Sequence, residues 1–194
     1  MKVYTRAGDD GTTGLFLGGR VSKADPLMAA CGDLDEAVAA LGVARASLSA
    51  GASPPGADGA ELADGLAAAV MSRQRELFVV AADLATNPAH RDRLVPGVSL
   101  VTESMAADVE REIDERVAEH PLRPVFVVPG TTSASAALDQ ARAVLRRAER
   151  SVIALADSGH PVTPAVRRYV NRLSDLLFVL ARVAAGENEP PSHE

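Results

Sequence analysis

Residue types that bind phosphate groups are concentrated near the start of the chain, in YTRAGDDGTTGLFLGGRVSK (residues 4–23). The glycines leave the backbone free to take positive φ and to approach a ligand closely. The threonines offer hydroxyl groups, and the aspartates offer carboxylates for a cation. Arg6, Arg20 and Lys23 add positive charge. This mixture favours a loop that binds a polyphosphate, and the alternative is a flexible tail that binds nothing.

The common nucleotide and metal motifs do not account for this loop. The segment GLFLGGR, residues 14–20, approaches a Walker A loop, but Arg20 stands in the lysine position and Val21 replaces the Ser or Thr that holds magnesium. No apolar strand precedes it. The chain also lacks GxGxxG, HExxH and CxxC patterns. An ordinary P-loop NTPase, a dinucleotide-binding domain and a zinc site are therefore not supported.

A second cationic segment is QARAVLRRAER, residues 140–150. In a helix, Arg142, Arg146 and Arg150 lie four residues apart and share a face. One interpretation is a solvated charged surface. The other is a rigid set of guanidinium groups that bind a triphosphate, and it is favoured because the core-type residue Leu145 lies close to this face.

Polar residues also interrupt two apolar stretches. Asn171 and Asp175 are four residues apart in RRYVNRLSDLLFVLAR, where they line a site or satisfy a neighbouring group. Asp35 and Glu36 lie in CGDLDEAVAALG. They are either charges near a helix start or partners of an arginine in the cationic segment or in another subunit.

The elements that must position these residues are helices. Hydrophobic residues make up 47% of the chain, but aromatic residues only 3%, so Ala and Leu form the core and favour closely packed helices. Apolar periodicity, caps and proline breaks predict five of them. The expected helices are 26–48, 60–85, 99–119, 133–157 and 164–185. This pattern predicts an all-α, five-helix bundle.

The same reading organises the rest of the chain as one domain over residues 1–186. Residues 1–25 form an irregular loop with a short extended piece, and the polar residues 187–194 are expected to be disordered. The apolar VFVV at 125–128 lies between prolines and predicts an extended loop.

Bulk properties exclude several classes of protein. The net charge of −6 argues against a general nucleic-acid binder. No apolar stretch is long enough to span a bilayer. The start MKVYTRAGDD has no apolar segment typical of a secretory signal, and the single cysteine, Cys31, excludes an internal disulfide and fits a reducing compartment. We therefore expect a cytoplasmic protein.

Taken together, the motifs resemble those of the PduO-type ATP:cob(I)alamin adenosyltransferases. They are YTRAGDDGTTGL followed by a lysine, GDLDE, a PG turn leading to ARAVLRRAER, and YVNRLSDLLFVLAR. They occur in this order and span nearly the whole chain. The resemblance implies a ferritin-like, cobalamin adenosyltransferase-like five-helix bundle that forms a homotrimer with active sites between subunits. It also implies transfer of the 5′-deoxyadenosyl group of ATP to cobalt, with release of triphosphate.

The resemblance further implies which residues contact ATP. The N-terminal loop residues are Thr5, Arg6, Ala7, Gly8, Thr13, Gly14 and Lys23. The residues facing the same nucleotide from the adjacent subunit are Arg146, Arg147, Glu149 and Arg150. Glu149 and Asn171 are implied to fix the ribose or Mg²⁺.

For the corrinoid, the resemblance implies that Phe126 lies against the ring and that Phe178 packs nearby. Arg142 is implied to pair with Asp35 across subunits, and Arg146 to stabilise the leaving triphosphate. ATP and cobalamin are the implied substrates and Mg²⁺ the implied cofactor. A reductase and an adenosylcobalamin-dependent enzyme are the implied protein partners, with neither nucleic acid nor membrane.

The sequence departs from the family pattern at four positions. Cys31 stands where Tyr is usual, Ala37 where Leu is common, Thr131 where a second Gly is common, and Asp139 where His is often found. These departures leave the proposed phosphate contacts in place. They bear on the loop near residue 130 and on corrinoid affinity.

Two other functions compete with an adenosyltransferase. The first is a non-catalytic carrier or sensor that binds ATP or corrinoid. The second is a structural bundle that only trimerises. Retention of Arg146, Asn171 and Lys23 argues against a carrier, and the glycine-rich loop argues against a purely structural role.

Overall fold

The chain folds as an α-helical bundle. The computed structural model describes residues 4–50 and 57–193. Its five α-helices are α1 (Pro26–Ser49), α2 (Ala57–Ala85), α3 (Glu103–Glu119), α4 (Ser133–Asp157) and α5 (Pro164–Ala185). Two short strands, β1 (Thr12–Gly14) and β2 (Arg20–Ser22), precede them, and a 3-10 turn (Pro88–Arg93) follows α2. The predicted fold class is confirmed. The turn-forming segment GASPPGADGA, residues 51–60, predicts a linker between the first two helices, and its residues 51–56 lie outside the described residues.

Local capping explains where the helices begin. The Asp25 carboxylate accepts from the Leu27 N–H at 2.9 Å, directly before a proline in the first turn of α1. Thr163 caps α5 in the same way, accepting from the Val166 N–H at 3.2 Å. Thr132 caps α4 through a capping box with the third residue of that helix. These starts agree with the predicted ones because a cap depends on residues that are adjacent in sequence.

Helix α3 begins at Glu103, so the expected start at residue 99 is wrong. Residues 95–100 form a hydrogen-bonded turn instead. The backbone N–H of Val101 then donates to the buried Asp83 carboxylate of α2 at 2.9 Å. This tertiary bond holds the chain outside the helix, which the periodicity of α3 could not show.

The core lies between α1, α4 and α5, with α2 packed on α1 and α3 packed on α5. Leucines from α1, α4 and α5, including Leu34, Leu145 and Leu173, are fully buried. Tyr169 is also fully buried, and its hydroxyl donates to Glu76 at 2.7 Å. The described helices include none that is long and apolar enough to cross a membrane.

The chain after α5 packs against the protein. We call residues 187–193 the C-terminal strap and residues 120–132 the Phe126 loop. The strap bridges to that loop at Val127 and Pro191, and Glu189 of the strap is only 5% exposed. The expectation of disorder is therefore wrong for these residues. Polar composition predicts disorder only where no partner buries the segment, and here the loop supplies one.

Candidate functional site

The N-terminal loop is a short hairpin docked on the end of α2. Strands β1 and β2 are antiparallel and pair Thr13 with Val21. The residues between them bond to the end of α2: the Phe16 N–H donates to the Ala85 carbonyl at 2.9 Å, and the Asn87 side chain donates to the Gly18 carbonyl at 3.0 Å. The short extended piece expected in this region is thus a fixed hairpin.

The cations of the hairpin hold the preceding turn in place. The Lys23 ammonium donates to the Gly8 carbonyl at 2.8 Å, and the Arg20 guanidinium donates to the Ala7 carbonyl at 2.5 Å. A Cβ on Gly8 would lie 3.0 Å from the Lys23 ammonium nitrogen and 3.2 Å from the Thr12 carbonyl oxygen. The structure therefore brings together Gly8 and Lys23, and a side chain at residue 8 would require Lys23 and the Thr12 carbonyl to shift by a few tenths of an ångström.

The other predicted residues of this loop are near its surface. Thr5, Arg6 and Gly14 are exposed, and Thr13 is partly buried. Arg6 has a positive φ of 63°, which orients this non-glycine residue in the left-handed region. Its exposed guanidinium lies 5.8 Å from the ring centre of Tyr4, two residues earlier in the chain.

Asp10 shapes the turn before β1. Its carboxylate accepts from the backbone N–H of Thr12 at 2.9 Å and from the hydroxyl of the same residue at 2.8 Å. These hydrogen bonds, with a smaller contribution from Arg20, hold the pKa of Asp10 below its usual range. Asp10 is one of the aspartates expected to offer a carboxylate to a cation. In the structure its carboxylate instead stabilises the turn before β1.

Neighbouring arginines on α4 have different surroundings. Arg147 pairs with Asp33 at 3.1 Å and also with Glu36, which joins α4 to α1. Hydrogen bonds to Glu36 and Asp33 raise the pKa of Arg147. Arg146 is exposed and makes no ion pair among the described residues. Its guanidinium is therefore available to an anion, whereas that of Arg147 is already neutralised.

Glu149 of α4 and Asn171 of α5 are in direct contact. The Asn171 amide donates to the Glu149 carboxylate at 3.0 Å, and Arg172 donates to the oxygen of the same amide at 3.0 Å. Both ends of the amide are thus oriented before any ligand binds. In the part of the chain that the structure describes, no three His, Cys, Asp or Glu side chains form a metal cluster.

The two predicted corrinoid contacts differ in exposure. Phe126 is 85% exposed. Phe178 is partly buried between Arg142 and Arg182, whose guanidinium groups lie 5.4 and 5.1 Å from its ring centre. Phe178 and the Phe126 loop line a cleft of about 200 Å³. The lining of this cleft combines apolar side chains such as Val125 and Val127 with charged ones such as Arg182 and Glu189.

Arg142 and Asp35 are not paired within the chain. The carboxylate of Asp35 is exposed on α1, while the buried Nε of Arg142 has no hydrogen-bond partner among the described residues. Among those same residues, no hydrogen bond or ion pair joins the N-terminal loop to Arg146 or Asn171. A single chain therefore presents the two cationic regions as separate surfaces.

Two buried carboxylates that support the site were not predicted. Asp83 is fully buried and pairs with Arg91 at 2.5 Å, next to the α2 end that holds the hairpin. Glu189 is buried beside Arg182. Asp83 lies inside the apolar stretch VVAADLA, and this position could have indicated a buried carboxylate. The residues around Glu189 give no such indication.

Comparison with known proteins decides the family. Residues 3–184 match the family model described as cobalamin adenosyltransferase. The chain belongs to this family. It is 42% identical to the corrinoid adenosyltransferase of Mycobacterium tuberculosis over 191 residues, covering 94% of this chain and 88% of the relative. It is 39% identical to that of Citrobacter freundii over 184 residues, covering 94% of each.

Solved cobalamin adenosyltransferases share the fold. A variant PduO-type ATP:corrinoid adenosyltransferase from Lactobacillus reuteri, complexed with cobalamin and ATP, has a TM-score of 0.82, 28% identity and full coverage of both chains. A second variant complexed with the same two molecules has a TM-score of 0.80 and 29% identity, covering 98% of this chain and 95% of the other. The family predicted from the four motifs, and its enzyme class, are confirmed.

Proposed function

We propose that the protein transfers the 5′-deoxyadenosyl group of ATP to the cobalt of cob(I)alamin and releases triphosphate. The observation that carries the proposal is the match to structures complexed with cobalamin and ATP over essentially the whole chain. Those neighbours have both molecules bound to one fold, which favours an enzyme over a structural bundle.

The chemistry needs alignment and charge stabilisation more than it needs a protein nucleophile. The electron pair of Co(I) attacks C5′ of ATP, the cobalt–carbon bond forms, and the C5′–oxygen bond breaks with its electrons going to triphosphate. Burial, aided by Asp35, raises the pKa of the Cys31 thiol to about 11, so Cys31 is not a thiolate competitor at neutral pH. The protein has to hold C5′ in line with cobalt and stabilise the leaving group.

The hairpin and α4 supply the proposed nucleotide site. The N-terminal loop wraps the triphosphate through backbone groups and hydroxyls, with Lys23 neutralising phosphate charge. The exposed Arg146 binds the leaving triphosphate from the adjacent subunit of a homotrimer. This assignment is supported by the availability of that guanidinium and by the preset Glu149–Asn171 contact, since Glu149 lies three residues after Arg146 on the same helix.

Mg²⁺ fits this site only together with the nucleotide. A magnesium ion usually combines one or two carboxylates with substrate phosphates. Glu149 is the carboxylate proposed to approach it, and the described residues offer no larger ligand cluster. Bound with the triphosphate, Mg²⁺ neutralises part of its negative charge.

Phe126 and Phe178 supply the proposed corrinoid contacts. An exposed aromatic ring on the Phe126 loop excludes water and the lower axial ligand from cobalt, and so eases reduction of Co(II) to Co(I). Arg142 and Asp35 are proposed to pair between subunits, since neither has an ionic partner of this kind within the described chain. The protein is proposed to act in the cytoplasm with a reductase and an adenosylcobalamin-dependent enzyme as partners.

A visible-absorbance assay tests the proposal. Purified protein is mixed without oxygen with chemically reduced cob(I)alamin and MgATP. Loss of the cob(I)alamin band and growth of a photolabile adenosylcobalamin spectrum are the expected result. If ATP binds and the cob(I)alamin band persists, the protein is a carrier or sensor. If neither molecule binds, the bundle has a structural role. Sedimentation of the same sample tests the trimer.

A further inference from the structure

The exposed ring of Phe126 is not fixed by its own side-chain packing. The residue is 85% exposed and lies in a loop outside the five helices. An apolar side chain that is exposed to water has few packing contacts that would favour one side-chain conformation. The backbone of the Phe126 loop must therefore determine where the ring points.

The C-terminal strap supplies backbone partners to that loop. The Ser192 N–H donates to the carbonyl of Phe126 itself at 2.8 Å, and the Val128 N–H donates to the Pro190 carbonyl at 2.9 Å. Val127 and Pro191 form an antiparallel bridge between these two bonds. The residue carrying the exposed ring is thus paired to the strap as in a two-stranded sheet.

One buried side chain anchors the strap. The Glu189 carboxylate is 4% exposed and lies 3.0 Å from the Arg182 guanidinium of α5. Arg182 also pairs with Asp139 of α4 at 2.5 Å and lies against the Phe178 ring. From the loop side, Arg123 donates to the backbone carbonyl of Glu189 at 2.7 Å. Glu189 is therefore held by α5 and by the Phe126 loop at once.

This anchor is a poor source of stability. One oxygen of the Glu189 carboxylate has no hydrogen-bond partner among the described residues, and burial raises the pKa of Glu189 despite the nearby Arg182. A buried ion pair with unsatisfied atoms often contributes little net stability, but it can fix the register of the segments that it joins. Here it sets the position of the strap along the Phe126 loop.

We propose that Glu189 is a positioning residue for the corrinoid reaction, acting through the strap to hold the Phe126 ring against the lower face of the substrate. The inference rests on the proposed function, in which Phe126 displaces the lower axial ligand. Cob(II)alamin needs that displacement before it is reduced, whereas cob(I)alamin has already lost the ligand. Loss of the anchor should therefore affect the Co(II) substrate far more than the Co(I) substrate.

The test compares two charge reversals in the full chain. Glu189→Lys places an ammonium beside Arg182 and Arg123, which should expel the strap. Glu61→Lys makes the same charge change at an exposed side chain of α2 that does not line the cleft, and it is the matched control. Arg123→Gln removes the loop-side hydrogen bond to the strap and is a second, milder variant. Thermal unfolding of each variant verifies that the bundle is folded.

The decisive readout is the spectrum of cob(II)alamin with protein and MgATP, which reports the four-coordinate form. We expect Glu189→Lys to lower its fraction about tenfold, the effect of roughly 1.4 kcal/mol in positioning. Arg123→Gln should shift it in the same direction, and Glu61→Lys should match the wild type. Turnover of pre-reduced cob(I)alamin should fall by no more than about threefold in all variants.

Two results would overturn the inference. One is a four-coordinate fraction in Glu189→Lys equal to that of Glu61→Lys. The other is an equal loss of Co(I) and Co(II) activity together with a lowered melting temperature, which indicates a general structural role. Failure of the proposed function is distinct, because the wild-type protein would then neither form the four-coordinate species nor turn over cob(I)alamin.

Discussion

The N-terminal loop and the Phe126 loop both lie outside the helices, but they are held in different ways. Lys23 bonds to Gly8 and Arg20 to Ala7, so the first turn of the proposed triphosphate loop is held by residues within 15 positions of one another. The Phe126 loop bonds to a strap some 66 residues further along the chain. The turn at residues 7–8 is therefore held locally, and the hairpin after it is docked on the end of α2 through Phe16 and Gly18. The position of the Phe126 loop, by contrast, depends on the distant strap.

The largest expected effect separates two adjacent arginines on the proposed nucleotide side. Arg146→Ala should lower kcat about 10²–10³-fold, because it removes a charge that stabilises the leaving triphosphate. Arg147→Ala, whose guanidinium already pairs with Asp33 and Glu36, should mainly lower the melting temperature. Initial rates of cob(I)alamin loss and thermal unfolding measure both. A larger rate loss in Arg147→Ala would reverse the assignment.

The next effect compares two rings on the proposed corrinoid side. Phe178→Ala should lower the free energy of unfolding by about 2 kcal/mol, through lost burial and lost contact with Arg142 and Arg182. Phe126→Ala should change it by less than about 0.5 kcal/mol, because this ring is exposed. Urea unfolding checks the pair. Equal losses would mean that Phe126 packs in solution.

A third, smaller effect tests the local construction of the N-terminal loop. Gly8→Ala adds a Cβ 3.0 Å from the Lys23 ammonium nitrogen, so this side chain must shift and its hydrogen bond to the Gly8 carbonyl is weakened. We expect the KM for ATP to rise about tenfold, or roughly 1.4 kcal/mol. Gly65→Ala, which meets nothing within 4 Å, is the control and should leave KM unchanged. An unchanged KM in Gly8→Ala would show that Lys23 does not depend on this contact.

The smallest effect concerns the pH dependence of the strap. Burial raises the pKa of Glu189 above its ordinary 4.5, so the folded state binds this proton more readily than the unfolded state. Its contribution to stability is present below pH 4.5 and is lost as pH rises through the folded-state pKa. The free energy of unfolding of the wild type, compared with that of Glu189→Gln, should rise as the pH falls from the folded-state pKa of Glu189 to 4.5. Urea titrations at several pH values measure the difference, and a difference that grows with rising pH would contradict the sign.

Much of the fold could be predicted because its determinants are close together in sequence. Asp25 and Thr163 with the prolines after them mark helix starts, and apolar periodicity marks the buried faces. The start of α3 could not be predicted in this way, since a carboxylate on α2 takes the Val101 N–H. The expected disorder of the tail failed for the same reason: its partners are distant in sequence.

The sequence by itself determined the bundle, because helix periodicity and caps act over a few residues. The family and most of the candidate residues followed from the resemblance carried by four motifs in order. Only the tertiary structure distinguished Arg146 from Arg147, since both have the same type and lie on the same helix but only one meets carboxylates of α1. It also decided that a polar tail holds the Phe126 loop. Burial of Glu189 depends on Arg182 and Arg123, and long-range contacts of this kind exist only after the helices have packed.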